Sequence, residues 1–241
     1  MSAIPPQLEL QKFYQSLAMP CPYIAGRMER KLFTRLEPDT GAAVNAYLTR
    51  AGFRRSHDMA YRPACETCSA CTPVRVPVKD FQPSHTQKRI LRRNAGLIRS
   101  IGPAIATAEQ YALFLRYQKS RHTGGDMALM TQRDYANMIE DGTTATRLVQ
   151  WHDQNGVLAA AMLIDEVADG LSAITSFFDP DQPRLSLGIY MVLSMIELTA
   201  GVQADYLYLG YYIAESSKMK YKGDFRPLEA LGREGWQLLP S

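Results

Sequence analysis

The stretch from Arg147 to Tyr212, RLVQWHDQNGVLAAAMLIDEVADGLSAITSFFDPDQPRLSLGIYMVLSMIELTAGVQADYLYLGYY, decides the fold. Two apolar runs, Arg147–Trp151 and Val157–Ile164, flank Asp153-Gln154-Asn155-Gly156. An Asn-Gly pair supplies the positive φ angles that a tight hairpin turn needs, so the two runs read as an antiparallel pair. Ser172–Phe178 gives a third strand, Leu187–Thr199 a helix, and Tyr206–Tyr212 a buried aromatic strand. A β-meander, a long helix and a further strand make an α/β arrangement.

Upstream, Thr107–Gln118 reads as a helix followed by a turn at Gly124-Gly125. Thr40–Gly52 also reads as a helix, because Val44, Tyr47 and Leu48 share one face and Gly52 ends it. Residues 53–79 read as loop and strand. There Val74, Val76 and Val78 alternate with Arg75, Pro77 and Lys79, and the proline predicts a strand at a sheet edge. Ser84 caps a basic helix running to about Arg93. Residues 1–20 read as a short amphipathic lead-in. The expected division is a basic, Cys-containing α+β part over 1–104 and a second domain over 105–241.

Of the 241 residues, 46% are hydrophobic and 21% charged, which permits a sizeable core and excludes collagen-like, disordered and coiled-coil classes. The longest apolar-rich stretch, Leu187–Val202, includes Glu197 and reads as too short and too polar to cross a bilayer. No basic segment leads into an unbroken apolar run near Met1, so the expectation is a protein without a signal peptide, working in the cytoplasm with no membrane partner. The formal net charge of +3 conceals a polarity. Residues 21–99 carry 15 Lys and Arg against 6 Asp and Glu, whereas residues 100–241 carry 11 against 17. A basic half joined to an acidic half points to an anionic partner, nucleic acid first.

Three of the four cysteines form C-x-x-C-x-x-C at Cys65, Cys68 and Cys71, and Cys21 lies upstream between Pro20 and Pro22. Three thiolates at this spacing can converge on one ion, with Cys21 completing a tetrahedral zinc site. The same spacing serves iron–sulfur clusters, and four reduced thiols packing a turn is the alternative. In the basic helix, Lys88 and Arg92, and Arg89 and Arg93, are both i, i+4 pairs. Stacked like charges disfavour the isolated helix, and phosphates would relieve them. A solvated helix face is the other reading.

The order of strands and helix after residue 147 resembles the core of the GNAT acyltransferase fold. Five longer segments extend the likeness: CPYIAGRMER (21–30), GFRRSHDMAYRPACETCSAC (52–71), FQPSHTQKRILRRN (81–94), SFFDPDQPRLSLGIY (176–190) and YLYLGYYIAESSKMKYKGDFRPLE (206–229). In this order they resemble the aminoacyl-tRNA–protein transferase family, most nearly its bacterial aspartate/glutamate leucyltransferase branch, which is related to eukaryotic arginyltransferase. The resemblance implies transfer of leucine from charged tRNA to the N-terminal amine of proteins beginning with Asp or Glu, marking them for degradation in an N-degron pathway. Arginine as donor, with the same mechanism, and a non-catalytic tRNA- or RNA-binding module are the alternatives. Eukaryotic relatives carry a C-x-x-C pair near the N-terminus and an adjacent Cys-Cys pair later. Here Ile24 stands in the second place after Cys21, so the likeness does not carry a metal site over by identity.

The chemistry requires no cofactor. An unperturbed α-amine, with a pKa of about 7.7–8.0, is partly neutral near pH 7 and can attack an activated ester once both are held in place. A weak base near the amine and donors near the oxyanion would add to this. A pocket for an acidic N-terminal residue needs fixed positive charge. The candidates are Arg54, Arg55, Lys218 and Lys222, the last two in a family-like K-M-x-Y-K pattern, with Lys220 and Arg226 nearby. Lys218, Lys220 and Lys222 would share one side if that segment were extended. Lys88, Arg89, Arg92 and Arg93 are the tRNA candidates.

Asp179, after the third strand, is a candidate to orient the amine or take its proton, or else a turn cap. Tyr190 could stack on the terminal adenine or donate a hydrogen bond, with core packing as its alternative, and Gly188 would let backbone approach a ligand. His57, His85, His122 and His152 are scattered and read as surface or structural residues. A CoA pyrophosphate loop would need Gln or Arg, a Gly three residues on and a small residue two further. Arg121–Asp126 and Arg93–Ile98 both miss that last residue.

Overall fold

The computed structural model describes residues 11–121, 124–142 and 145–240. In chain order the first elements are β1 (Tyr14–Gln15), β2 (Met19–Pro20), β3 (Met28–Glu29), β4 (Lys31–Arg35), helix α1 (Gly41–Arg50), β5 (Arg54–Ser56), β6 (Met59–Pro63) and β7 (Thr72–Pro77). Helix α2 (His85–Arg93), β8 (Ile98–Pro103), helix α3 (Ala108–Arg121) and helix α4 (Gln132–Glu140) follow. The second half holds β9 (Thr146–His152), β10 (Leu158–Val167), β11 (Gly170–Phe178), helix α5 (Leu187–Gly201), β12 (Tyr206–Tyr212), β13 (Glu229–Gly232) and β14 (Gly235–Leu238).

The small N-terminal sheet has the order β1-β4-β6-β5, beside the short pair β2-β3. Its core is a separate apolar cluster around Leu36, Val44, Leu48, Phe53 and Ala60, under the face of α1 that carries Val44 and Leu48. The large sheet runs β14-β13-β7-β12-β11-β10-β9-β8. Helices cover both its faces, which is why β10 reads as one continuous apolar run. Ala160, Met162 and Ile164 pack into the cluster holding α5, while Ala161 and Leu163 pack into the cluster holding α3 and α4.

Strands β9, β10 and β11 form the antiparallel meander expected from the sequence. The hairpin loop between β9 and β10 is organised by Asp153, whose Oδ1 accepts from the N–H groups of Asn155 and Val157, each at 2.9 Å. Gly156 takes φ +81° there, a backbone value that costs glycine little. Strands β11 and β12, joined across α5, are parallel. Their pairing runs from Gly170–Tyr206 to Ser172–Tyr208, and among the described residues it goes no further. The meander, crossover helix and parting parallel strands are the arrangement expected from the sequence, carried by an α/β chain.

Three expectations change. Val74 and Val76 do not lie on an edge strand: β7 pairs with β12 on one side and β13 on the other. The proline signal misled because Pro73 and Pro77 sit near the strand ends, and β13 bonds β7 only opposite Val74 and Arg75. Val78 belongs to a short 3-10 turn. Second, β7 and β8 join the large sheet, so the expected boundary at 104 divides the chain order and not the sheet. Third, with its 3-10 lead-in, Pro183–Gly201 is long and apolar enough by length and composition to cross a membrane. That apolarity follows from α5 being packed in the core, where Leu187, Met191, Leu193 and Met195 are almost wholly buried. Residues 1–10 of the amphipathic lead-in lie outside the described residues.

Candidate active site

Three elements converge where β11 ends. Phe178 is the last residue of β11, the 3-10 turn Pro183–Leu185 follows, and α5 begins after Ser186, which adopts a left-handed φ of 52°. They wall a cleft of about 560 Å³ closed by Tyr117 and Arg121 of α3 and by Ser217, Lys218 and Tyr221 after β12. The Tyr117 and Phe178 rings lie 4.8 Å apart, and Arg121 sits 5.7 Å over the Phe178 ring. Gly188 gives this wall its depth: a Cβ there would stand 3.2 Å from Phe178 Cε1. Burial pushes the phenols of Tyr117 and Tyr221 above the ordinary tyrosine range. Arg121 and Lys218 are exposed, and among the described residues lining the cleft none is acidic.

Helix α2 is attached to the same wall. Ser84 and Gln87 cap it reciprocally, the Gln87 N–H donating to Ser84 Oγ and the Ser84 N–H to Gln87 Oε1. Gln87 and Ile90 face inward, leaving Lys88, Arg89, Arg92 and Arg93 exposed. At its C-terminal end the Arg93 guanidinium donates to the Arg184 carbonyl, and Asn94 Nδ2 donates to the Leu185 carbonyl at 2.8 Å. The basic face therefore ends on the turn that walls the cleft. Gln87 Nε2 also donates to the Asp224 carbonyl at 3.0 Å, tying α2 to the segment that carries Lys218.

The candidate residues separate. Tyr190 is in the core, 7% exposed, edge-on to Trp151 at 6.5 Å, so it presents no face to a ligand and the expected stacking role is corrected. It falls inward because it lies one helical turn from Ser194 on the buried side of α5, and burial raises its phenol. Arg55 is likewise structural. Its Nε and Nη2 donate to the two Asp165 oxygens at 2.7 and 2.8 Å, with Thr146 and Asn45 completing a network sealed from solvent. Asp179 follows the turn-forming alternative: Oδ1 accepts from the Asp181 N–H at 3.1 Å and lies 3.4 Å from Arg116 Nη1.

The lysines do not share a side, because the segment curls into a 3-10 turn over Lys220–Asp224. Lys218 and Lys220 are exposed, while Lys222 is buried with its Nζ donating to the Tyr211 carbonyl at 2.8 Å. Burial, and then the charge of Arg54, hold its ammonium well below the usual lysine range. Arg226 is spent on the Gly223 and Leu239 carbonyls. His57 has φ 54° and Nδ1 3.2 Å from Ser56 Oγ, His85 opens α2, and His152 ends β9. His122 lies outside the described residues.

Arg54 stands where β11 and β12 part. Its Nη2 donates to the Ile174 carbonyl at 2.6 Å, with Ala173 at 3.4 Å, and Nη1 reaches the Leu209 carbonyl at 3.4 Å. These partners are all neutral carbonyls. Its charge is felt by Tyr221 of the cleft and by Tyr23 and Tyr211 on its other side.

Those last two tyrosines line a separate pocket of about 320 Å³ into which Cys21, Cys65, Cys68 and Cys71 all open. Four thiols in one pocket are a donor set suited to zinc or an iron–sulfur cluster. As they stand, among the described residues no group of three or more Cys, His, Asp or Glu is gathered closely enough to hold an ion. Cys68 Sγ accepts from Arg27 Nη1 at 2.9 Å, and the Ala70 N–H first, then Arg27, lower its thiol pKa. Burial and the other three sulfurs push Cys71 up to about 12.

Comparison with known proteins places these features in a family. The model "Arginine-tRNA-protein transferase, C terminus" matches residues 109–232, and "Arginine-tRNA-protein transferase, N terminus" matches residues 19–89. The chain is 51% identical to an aspartate/glutamate leucyltransferase of Paramagnetospirillum magneticum, over 93% of this chain and 92% of that protein. It is 51% identical to the one of Parvibaculum lavamentivorans, over 95% of each. Among solved structures it is similar to a tandem GNAT protein from the clavulanic acid biosynthesis pathway, with 12% identity, a TM-score of 0.43, and 93% and 62% of the two chains covered.

Proposed function

This chain belongs to the aminoacyl-tRNA–protein transferase family, within its aspartate/glutamate leucyltransferase branch, and we propose that it moves leucine from leucyl-tRNA to proteins beginning with Asp or Glu, with the aminoacyl end of the tRNA seated in the cleft between Phe178 and Gly188. The observation that carries this reading is the bonding of α2 to the cleft wall. A helix presenting Lys88, Arg89, Arg92 and Arg93 to solvent leads through Arg93 and Asn94 to the carbonyls of Arg184 and Leu185. Phosphates tracking that face would deliver the 3′ end to the cleft. The aromatic wall of Tyr117 and Phe178 suits a base or an apolar side chain.

In the transfer, the neutral α-amine of the acceptor attacks the carbonyl carbon of the ester joining leucine to the terminal ribose. A C–N bond forms, the C–O bond breaks, and the ribose hydroxyl leaves with the proton the amine gives up. The ester is already activated, so alignment of the two substrates supplies much of the rate. Lys218, exposed on the rim, is the cation we assign to the acceptor's side-chain carboxylate. Arg54, held among carbonyls behind Tyr221, adds positive field, while Lys222 is buried on the Tyr211 carbonyl and does not reach the acceptor. Asp179, fixed by Arg116, is placed to order the turn between β11 and α5. No step runs through the cysteine pocket. A role in N-degron tagging, in the cytoplasm where charged tRNA is found, accompanies this reading.

The test is Gly188→Val, which fills the wall against Phe178. Leucine transfer should fall at least about a hundredfold while binding of the tRNA body persists. Unchanged transfer would move the reaction to another site.

A further inference from the structure

The cleft carries a charge asymmetry that bears on which amino acid the donor tRNA delivers. Its described lining includes two exposed cations, Arg121 and Lys218, and no carboxylate. Its floor is apolar, with the Tyr117 and Phe178 rings 4.8 Å apart and Arg121 lying 5.7 Å over the Phe178 ring. Arg121 also acts electrostatically on the Tyr117 phenol. A side chain seated against these rings thus meets hydrocarbon with a guanidinium close by.

We infer that Arg121 is a specificity-determining residue that rejects a cationic aminoacyl side chain, so that this cleft takes leucyl and refuses arginyl donors. The inference rests on the placing of the aminoacyl end in this cleft. An arginyl side chain would bring a further positive charge beside Arg121, and among the described residues lining the cleft no carboxylate is there to pair with it; an unpaired charge taken out of water is strongly disfavoured. A leucyl side chain needs only apolar contact, which Phe178 and Tyr117 supply. Discrimination therefore comes from a repulsive element as well as an attractive one. Arg121 is suited to this because it is exposed at the end of α3 and, among the described residues, holds no ion pair that its replacement would break.

Two variants of the full chain test this: Arg121→Glu, which reverses the charge, and Phe178→Ala, which removes the floor. Transfer of leucine and of arginine from charged tRNA to a Glu-initiated peptide is measured in parallel with binding of non-hydrolysable leucyl- and arginyl-amide analogues of adenosine. Arg121→Glu should raise the arginyl-to-leucyl ratio at least about tenfold in both readouts, and Phe178→Ala should lower leucyl binding at least about tenfold. If Phe178→Ala weakens leucyl binding while Arg121→Glu leaves the ratio unchanged, the role of Arg121 is overturned and the cleft assignment stands. If neither variant alters binding of either analogue, the cleft assignment fails and the inference fails with it. Arg121→Gln, expected to give an intermediate ratio, separates charge reversal from loss of the guanidinium, and an unaltered far-ultraviolet spectrum certifies each fold.

Discussion

The guanidinium of Arg93 is bonded to the backbone carbonyl of Arg184, so the last turn of the basic helix α2 is tied directly to the turn that walls the cleft. Asn94 repeats the link one residue on, to the Leu185 carbonyl. A charge pattern alone suggests that α2 meets phosphates; the link explains why meeting them there would matter for chemistry at Phe178 and Gly188.

Replacing Arg92 and Arg93 together with Glu should weaken tRNA binding and reduce the slope of log affinity against log salt by roughly 1.4 to 1.8, since each of two neutralised phosphates contributes about 0.7 to 0.9. Filter binding across a salt series reads this. A slope unchanged from that of the natural chain would remove α2 from the tRNA surface.

The fit of Arg54 against Gly210 sets the second prediction. Gly210 adopts φ +73°, and a Cβ there would fall 1.6 Å from Arg54 Nη1. Gly210→Ala must therefore strain the backbone and expel the guanidinium from the carbonyls of Ala173, Ile174 and Leu209. The expected cost is about 2 to 4 kcal/mol in urea unfolding. A change under about 0.5 kcal/mol would show that Arg54 is not held there.

Lys222 predicts a pH dependence. Its ammonium is depressed in the folded chain and ordinary in the unfolded chain, so the unfolded state binds the extra proton below about 10.4. Stability from this group must then rise with pH up to that value, by at most about 1.4 kcal/mol per unit where it titrates fully. Lys222→Met removes the contribution, so the stability of the variant should climb less steeply between pH 7 and 10. Parallel curves for the two proteins would mean that Lys222 is charged in the fold.

For Tyr190, the core position gives a contrast with a ligand-facing tyrosine. Tyr190→Phe keeps the ring that meets Trp151 edge-on and should leave leucine transfer within about twofold, while lowering stability by roughly 0.5 to 1.5 kcal/mol for the hydroxyl's lost hydrogen bond. A hundredfold loss of transfer with an intact fold would return Tyr190 to the reaction.

Where the sequence was most legible, one local rule was sufficient. The Asn-Gly turn marked the β9–β10 hairpin, and Ser84 marked the start of α2. The segment quoted across 176–190 also contained Phe178 and Gly188, which the cleft brings together. What stayed hidden depended on distant partners. Nothing in Thr72–Pro77 reveals that β13, more than 150 residues later, covers one side of it. Arg54 and Arg55 are neighbours in sequence, yet one reaches the carbonyls of β11 and the other a buried Asp165. A charged residue on a strand gives no sign of which face meets an acid.

Neither Tyr117 nor Arg121 stands out as a site residue in the sequence, because Thr107–Gln118 reads only as a helix, and one that stops short of Arg121. Their signal, an aromatic and a cation four apart near the helix end, becomes meaningful only once Phe178 lies between them. Lys222 illustrates the reverse. Alternation implied three lysines on one side, and the 3-10 turn over Lys220–Asp224 rotates this one inward.

The most direct test of the whole account is transfer of radiolabelled leucine from charged tRNA to four peptides that differ only in their first residue, Asp, Glu, Ala or Lys. The account predicts incorporation into the Asp and Glu peptides, little into the Ala and Lys peptides, and loss of the acidic preference when Lys218 is replaced by Ala. Absence of leucine transfer to all four, under conditions where the tRNA is bound, would contradict it.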